Sequence, residues 1–189
     1  MAGRWRARAL PGRAPVRALG AAAAAAFAID QGSKLAMLHV LDLPERGEVA
    51  VAPPFLVFRM GWNRGVNFGL FADDAAAMRW VLVAVALAIS ALVLRWARAD
   101  RGRAVVQISA GLLIGGALGN ALDRVVHGAV ADFLNMSCCG ISNPYVFNLA
   151  DVAIFAGAIG LALFAGRGDN ARRPRGGRGR DDASGGRYG

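Results

Sequence analysis

Four short clusters of polar residues interrupt a strongly apolar chain, and they hold most of the side chains able to do chemistry. The first is Asp30-Gln31-Gly32-Ser33-Lys34, in which Asp30 and Lys34 stand four residues apart and can pair on one helix face. The second is Asn63-Arg64-Gly65-Val66-Asn67-Phe68-Gly69, a glycine-punctuated loop. The third runs from Gly119-Asn120-Ala121-Leu122-Asp123-Arg124 to Gly128-Ala129-Val130-Ala131-Asp132-Phe133, and the fourth is Phe147-Asn148-Leu149-Ala150-Asp151. Asn120 and Asp123 are three apart, as are Asn148 and Asp151, so each couple shares a helix face. Two carboxylates brought together from different segments are the equipment of an aspartic protease. One stays ionised and activates a water, while the other holds a proton and donates it to the peptide carbonyl. An apolar site favours that division, because two like charges do not both persist at low dielectric. The plainer alternative pairs Asp123 with Arg124 and uses Asp151 to cap the following helix. Spacing alone does not choose between Asp123 and Asp132 as the partner of Asp151. Asp123 has a cation beside it, which suits a structural ion pair, whereas Asp132 has no adjacent cation and its proton affinity is freer to rise.

Other chemistries have less to work with. The two cysteines, Cys138 and Cys139, are adjacent and make no disulfide framework; Cys138 with His127 lacks a third orienting group for a thiol protease. Both cysteines read as bystanders and His39 as an interfacial residue. With two histidines and no H-E-x-x-H there is no zinc ligand set, and no glycine loop has phosphate-cradling spacing. No metal and no cofactor are expected.

The elements that must position these clusters follow from where charge is missing. The chain has 189 residues, 56% of them hydrophobic before its 25 glycines are counted, yet carries a formal net charge of +9. A soluble domain reaches about 45–50% apolar with glycine included, so the apolar and basic residues must be segregated. Four stretches have membrane-spanning length: about 18–38, 75–96, 104–122 and 147–166. None shows the polar face of a surface helix. Sixteen of the 22 basic residues lie in 1–17, in Arg95–Arg103 at and after the end of the second stretch, or after Gly166. Positive loops stay in the cytoplasm, so both termini and the middle loop are expected there, with 39–74 and 123–146 on the opposite side. A nucleic-acid binder would line one folded surface with its cations instead. The arginine-rich start and the Ala21–Ala26 run also resemble a cleaved leader. Removing it would leave three spans and split the basic segments across the membrane, so a retained first span is expected. Glycines 111, 115 and 119, four apart, and Ala153 with Gly157 predict close helix packing. The prolines and β-prone runs of Leu41–Asp74, such as Phe55-Leu56-Val57-Phe58, predict a small sheet, and the Arg/Gly/Asp-rich tail has too few apolar residues to fold. Buried Asp and Lys also suit a proton-relay transporter, and polar residues suit interhelical glue in a structural subunit. Asp→Asn changes separate these readings.

Taken together, the clusters resemble the lipoprotein signal peptidases (signal peptidase II) of bacteria. The family's D-x-x-S/T-K, N-x-G-x-x-F, G-N-x-x-D-R with G-x-V-x-D-F, and F-N-x-A-D are similar to Asp30–Lys34, Asn63–Phe68, Gly119–Phe133 and Phe147–Asp151 in order and spacing. The resemblance covers residues 18 to about 166 and leaves out the basic termini, 1–17 and 167–189. It implies an all-α membrane protein of four transmembrane helices with a small periplasmic β-cradle at about 39–74, and an intramembrane aspartic endopeptidase; the basic termini are expected to be disordered from their composition. The substrates implied are prolipoproteins carrying diacylglyceryl-cysteine, cut N-terminal to that cysteine at the periplasmic face of the inner membrane. It implies Asp132 and Asp151 as the catalytic pair. Asn63, Asn120, Asp123, Arg124 and Asn148 would position substrate or pair, with Asp30 and Lys34 supporting the fold beside them. Membrane lipids are the other expected partner; nucleic acid is not one, and a monomer is expected. Val66-Asn67 departs from the two small residues frequent there and bears on substrate fit, not on the acid pair.

Overall fold

A computed structural model describes residues 14–65, 75–99, 103–140 and 143–165. Most of the basic segment 1–17, the tail 167–189 and Val66-Asn67-Phe68 of the second cluster lie outside the described residues. Helix α1 (Ala14–Leu35) is built on the alanine run, the strongest helix former available. It continues through a π-helical turn at Ala36–Val40. Asp42, with φ 51, then redirects the chain into the single turn α2 (Leu43–Arg46), whose Leu43 is fully buried. Strand β1 (Glu48–Ala52) pairs antiparallel with β2 (Leu56–Asn63). Helices α3 (Ala75–Ala99) and α4 (Ala104–His127) follow. Gly128, at φ 78, adopts the left-handed conformation that ends α4 and donates its N–H to the Arg124 carbonyl. The chain turns there into β3 (Val130–Met136), and α5 (Leu149–Phe164) closes the fold.

The sheet order is β1-β2-β3, all antiparallel, with Asn63 opposite Val130 and Gly61 opposite Asp132. The architecture is therefore mostly helical with a small three-stranded antiparallel sheet, where a small β-cradle was expected beside the helices. The sheet is also larger than the predicted 39–74, because β3 comes from the segment after α4. β3 escapes a period-2 reading because its first four residues are all buried; with both faces covered, no alternation remains to be seen. Helix bounds also differ from those expected: α4 runs five residues past Leu122 to His127, whereas α5, Leu149–Phe164, falls inside the expected 147–166.

Helix α4 is the axis, with α1, α3 and α5 packed around it. Its small residues set those distances. A Cβ on Gly111 or Gly115 would strike the α1 backbone at Leu19 and Ala23, and one on Gly116 would meet Ala150 of α5. Gly157 of α5 sits as tightly against Ser109 and Leu113. Small residues at this spacing let the helix backbones approach closely. Leu19, Ala97, Ala110 and Ile114 form an apolar cluster within this packing. Large side chains point outward instead, including Trp80, Val81, Leu87 and Leu92 of α3 and Phe155 and Leu163 of α5. Among the described residues, Ala77–Ala99 and Ala104–His127 are long and apolar enough to cross a membrane, and α5 is apolar but shorter.

Candidate active site

The polar clusters converge where α1 ends, α4 ends, β3 begins and α5 starts. Each is delivered by a local feature. Asn148 is the N-cap of α5: its side-chain oxygen accepts from the Asp151 N–H at 2.9 Å, and Asp151 accepts from the Asn148 N–H at 3.3 Å. This reciprocal box satisfies two donors that a helix start otherwise leaves open and fixes both side chains. The Gly128 turn aims β3 back across the end of α4 and places Asp132, only 2% exposed, beside that cap.

Asn148 also joins the two carboxylates. Its amide nitrogen donates to Asp132 Oδ1 at 2.6 Å and to Asn120 Oδ1 at 3.1 Å. Asn120 in turn donates to Asp151 Oδ1 at 2.8 Å. Asn63, at the end of β2, donates a further hydrogen bond to Asp132. Burial, and next the negative charge of Asp151, push the Asp132 carboxyl up from an ordinary 3.8 to about 6; the hydrogen bonds from Asn63 and Asn148 and the charge of Lys34 oppose the rise. The two carboxylates are thus close enough to sense each other's charge.

On the far side of Asn120 lies a second pair of carboxylates with a different arrangement. Lys34 Nζ contacts Asp30 Oδ2 and Asp123 Oδ2, each at 2.7 Å, and donates to Asn120 Oδ1 at 3.1 Å. All three charged groups are buried. Asp30 accepts from the Ala150 N–H at 2.9 Å, tying α1 to the first turn of α5, and Asp123 accepts from the Ala131 N–H at 3.3 Å. The expected Asp123–Arg124 pair is replaced by Asp123–Lys34. Adjacent residues on a helix diverge, whereas Lys34 reaches across from α1. Arg124 donates instead to the Asn120 carbonyl at 3.2 Å, and its charge acts on Asp151, Asp132 and Asp123. The alternative role for Asp151, capping, is present as well, but the cap leaves Asp151 beside Asp132. Gln31 was not singled out by sequence: its amide reaches Asp123 Oδ1 at 3.0 Å, Asp30 Oδ2 at 3.1 Å and the Gly119 carbonyl at 3.3 Å. Its position between Asp30 and Lys34 was the available signal. Among the described residues, no group of three or more His, Cys, Asp or Glu side chains could hold a metal ion.

The sequence model of the family described as signal peptidase (SPase) II matches residues 22–166. The chain belongs to the signal peptidase II family. Similar relatives include the lipoprotein signal peptidase of Methylobacterium sp. (strain 4-46), 46% identical over 160 residues, which span 82% of this chain and 95% of the relative. Another, from Methylorubrum extorquens (strain PA1), is 45% identical over 139 residues, covering 74% of this chain and 80% of the relative. Two solved structures of a bacterial membrane enzyme share the fold at 23% identity. Their TM-scores are 0.66 and 0.69, and the match covers 84% and 82% of this chain and 93% and 96% of theirs. Within this signal peptidase II chain, all four clusters lie inside the family match. Every candidate residue, from Asp30 to Asp151, falls at the one end of the bundle described above.

Proposed function

We propose that this protein is an intramembrane aspartic endopeptidase that removes signal peptides from prolipoproteins, cutting N-terminal to a diacylglyceryl-modified cysteine. The observation that carries the reading is the junction of Asp132 and Asp151 through Asn148, with the Asp132 carboxyl pushed up to about 6. That arrangement divides two roles between two chemically equal groups. Asp132, the carboxyl whose proton affinity is raised, is the acid. Asp151, in the field of Arg124, is the base. Asp151 takes a proton from a water whose oxygen bonds to the scissile carbonyl carbon, while Asp132 gives its proton to the carbonyl oxygen. On collapse the C–N bond breaks, the leaving nitrogen takes the proton from Asp151, and a hydroxyl of the tetrahedral carbon returns one to Asp132. Asn63, Asn120 and Asn148 hold the carboxyls in register, and Asp30, Lys34, Asp123 and Arg124 fix the helix ends that carry them.

The same reading makes α1, α3, α4 and α5 four membrane spans with cytoplasmic termini, supported by the sequestered arginines and by the large apolar side chains facing outward. It puts the sheet and the acid pair at the periplasmic face of the inner membrane, in a monomer that meets its lipidated substrate within the bilayer. Reporter fusions after Ala99 should read cytoplasm and fusions near Arg46 and Asn143 periplasm; one reporter on the wrong side overturns the orientation. The direct test is incubation of purified protein with a diacylglyceryl-modified prolipoprotein, followed by mass analysis. Asp132→Asn and Asp151→Asn should each abolish cleavage while the proteins insert and stay monodisperse. Substantial turnover by Asp132→Asn, alongside a folded but inactive Asp123→Asn, would move the assignment to Asp123 with Asp151.

A further inference from the structure

Beyond β3 the chain makes a small turn that the peptidase chemistry does not use. Cys138 and Cys139 are both free and exposed there. Cys139 has φ 58 and the next residue, Gly140, has φ 79. Two successive left-handed residues make a tight reversal in which Asn-Gly is the usual choice and a side chain such as cysteine is uncommon. The base of the turn is fastened. Buried Asn135 donates to the carbonyls of Asn143 and Tyr145, each at 2.8 Å, Ser137 Oγ accepts from the Asn143 N–H at 3.0 Å, and the Ser137 N–H reaches the Phe55 carbonyl at 3.3 Å. The neighbouring Cys139 side chain pushes the Cys138 thiol up from its ordinary value. Along β3 the tip lies about 20 Å from Asp132 at ~3.3 Å per residue, well clear of the acid pair.

We propose that Cys138 and Cys139 form a redox-active vicinal dithiol, which exchanges with an organic or protein disulfide and closes to a cyclic disulfide between neighbouring residues. In the exchange one cysteine thiolate attacks the oxidant disulfide and expels its first thiol. The second cysteine then attacks the mixed disulfide and expels the other. The pair loses two electrons and two protons, and the oxidant is reduced to two thiols. Adjacency in the chain holds the second thiol at high effective concentration beside the mixed disulfide and favours the second step over capture of another molecule. Neighbouring Cα atoms are 3.8 Å apart, short of the 4.4–6.8 Å that unstrained disulfides prefer, so the ring is strained and easily reduced, which suits a reversible device and not a structural staple. The supply of oxidant in the cell rests on the periplasmic placement proposed above, since disulfides persist there. The chemistry of the turn does not.

The test uses the full-length protein in detergent, exposed to oxidised glutathione, digested without reductant and weighed. The peptide bearing Cys138 and Cys139 should lose the mass of two hydrogens, carry no glutathione, and recover its mass in dithiothreitol. Cys138→Ser and Cys139→Ser should each retain one glutathione. A wild-type peptide with two free thiols, with stable glutathione, or cross-linked to a second chain would overturn the proposal. Cleavage of lipidated substrate by the same reduced sample reports the peptidase reading separately, so either idea can fail without the other.

Discussion

Four buried or half-buried aspartates meet at one end of this bundle, yet they form two regions of opposite character. Asp30 and Asp123 share the Lys34 ammonium at 2.7 Å each. Asp132 and Asp151 have amide partners instead, from Asn63, Asn120 and Asn148, and no cation bonded directly among the described contacts. The two regions touch through Asn120, which accepts from Lys34 and from Asn148 while donating to Asp151. A carboxylate held by a buried cation serves as a fixed strut between helix ends. A carboxylate held by neutral amides beside another carboxylate keeps the option of taking a proton. Under the proposed function, structural and reactive acids are sorted by where one lysine reaches.

The largest effect expected from breaking the difference is in the amide-held region. Replacing either Asp132 or Asp151 by Asn should remove turnover by about 10⁴-fold or more, the upper range of what positioned acid–base groups contribute. The pH dependence sharpens it. The Asp132 carboxyl is raised in the folded protein to about 6 from 3.8, so the fold binds a proton that the unfolded chain releases earlier. Its contribution to stability is full below 3.8 and is lost as pH rises through about 6. Asp132→Asn should therefore be more thermostable than the parent above about pH 6 and lose that advantage in acid, a crossover visible in thermal melts. Activity of the parent should fall over the same rise, as a property of the pair. An Asp132→Asn protein less stable than the parent at neutral pH would show that its carboxylate is a strut after all.

Lys34→Met is the matching change on the cation-held side. It leaves Asp30 and Asp123 buried and facing each other, a loss of about 3–5 kcal/mol for a broken buried ion pair. Loss of activity should track loss of folded protein. Adding Asp123→Asn to Lys34→Met should recover part of the stability, because the remaining carboxylate repulsion goes with it. No recovery would mean that Lys34 acts on the reactive pair rather than on its own cluster.

Asn148→Ala comes next. It removes the cap and the bridge together, at about 0.5–2 kcal/mol for the cap and about 10²-fold in kcat for the misplaced carboxyls. Asn148→Ser keeps a capping oxygen but has no amide to reach Asp132. It should restore the melting temperature without restoring kcat. If it restores both, Asn148 is a cap and nothing more.

Much of this division was visible in the sequence, and the rest was hidden for definable reasons. The helices announced themselves through long uncharged runs, and the Asn148–Asp151 spacing is the signature of a local helix cap. The Asp30–Lys34 pair is equally local. The Lys34–Asp123 contact joins residues from helices far apart in the chain, so only the α1–α4 packing set by Gly111 and Gly115 reveals it. Arg124, the neighbour in sequence, was the wrong partner for that reason. β3 was hidden because its first residues are buried on both faces, and with it went any way to tell from spacing that Asp132 approaches Asp151. For Gln31 the one signal is its place between Asp30 and Lys34, which does not show that three acceptors surround it.

Gln31 supplies the smallest and most exacting test. Its amide reaches Asp30, Asp123 and the Gly119 carbonyl, so it sits in the cation-held region as a neutral spacer between two carboxylates. If the lysine defines that region, removing the amide should cost no more than an ordinary hydrogen bond. Gln31→Met should lower stability by about 1 kcal/mol and leave kcat within a few-fold of the parent. Gln31→Glu keeps the length and shape but adds a third negative charge beside one ammonium. It should destabilise more than the Met change at neutral pH, with the excess vanishing as the medium is acidified and the new carboxyl takes a proton. Should Gln31→Met prove as damaging as Lys34→Met, the amide and not the cation would be holding Asp30 and Asp123, and the contrast between the two regions would rest on geometry instead of charge.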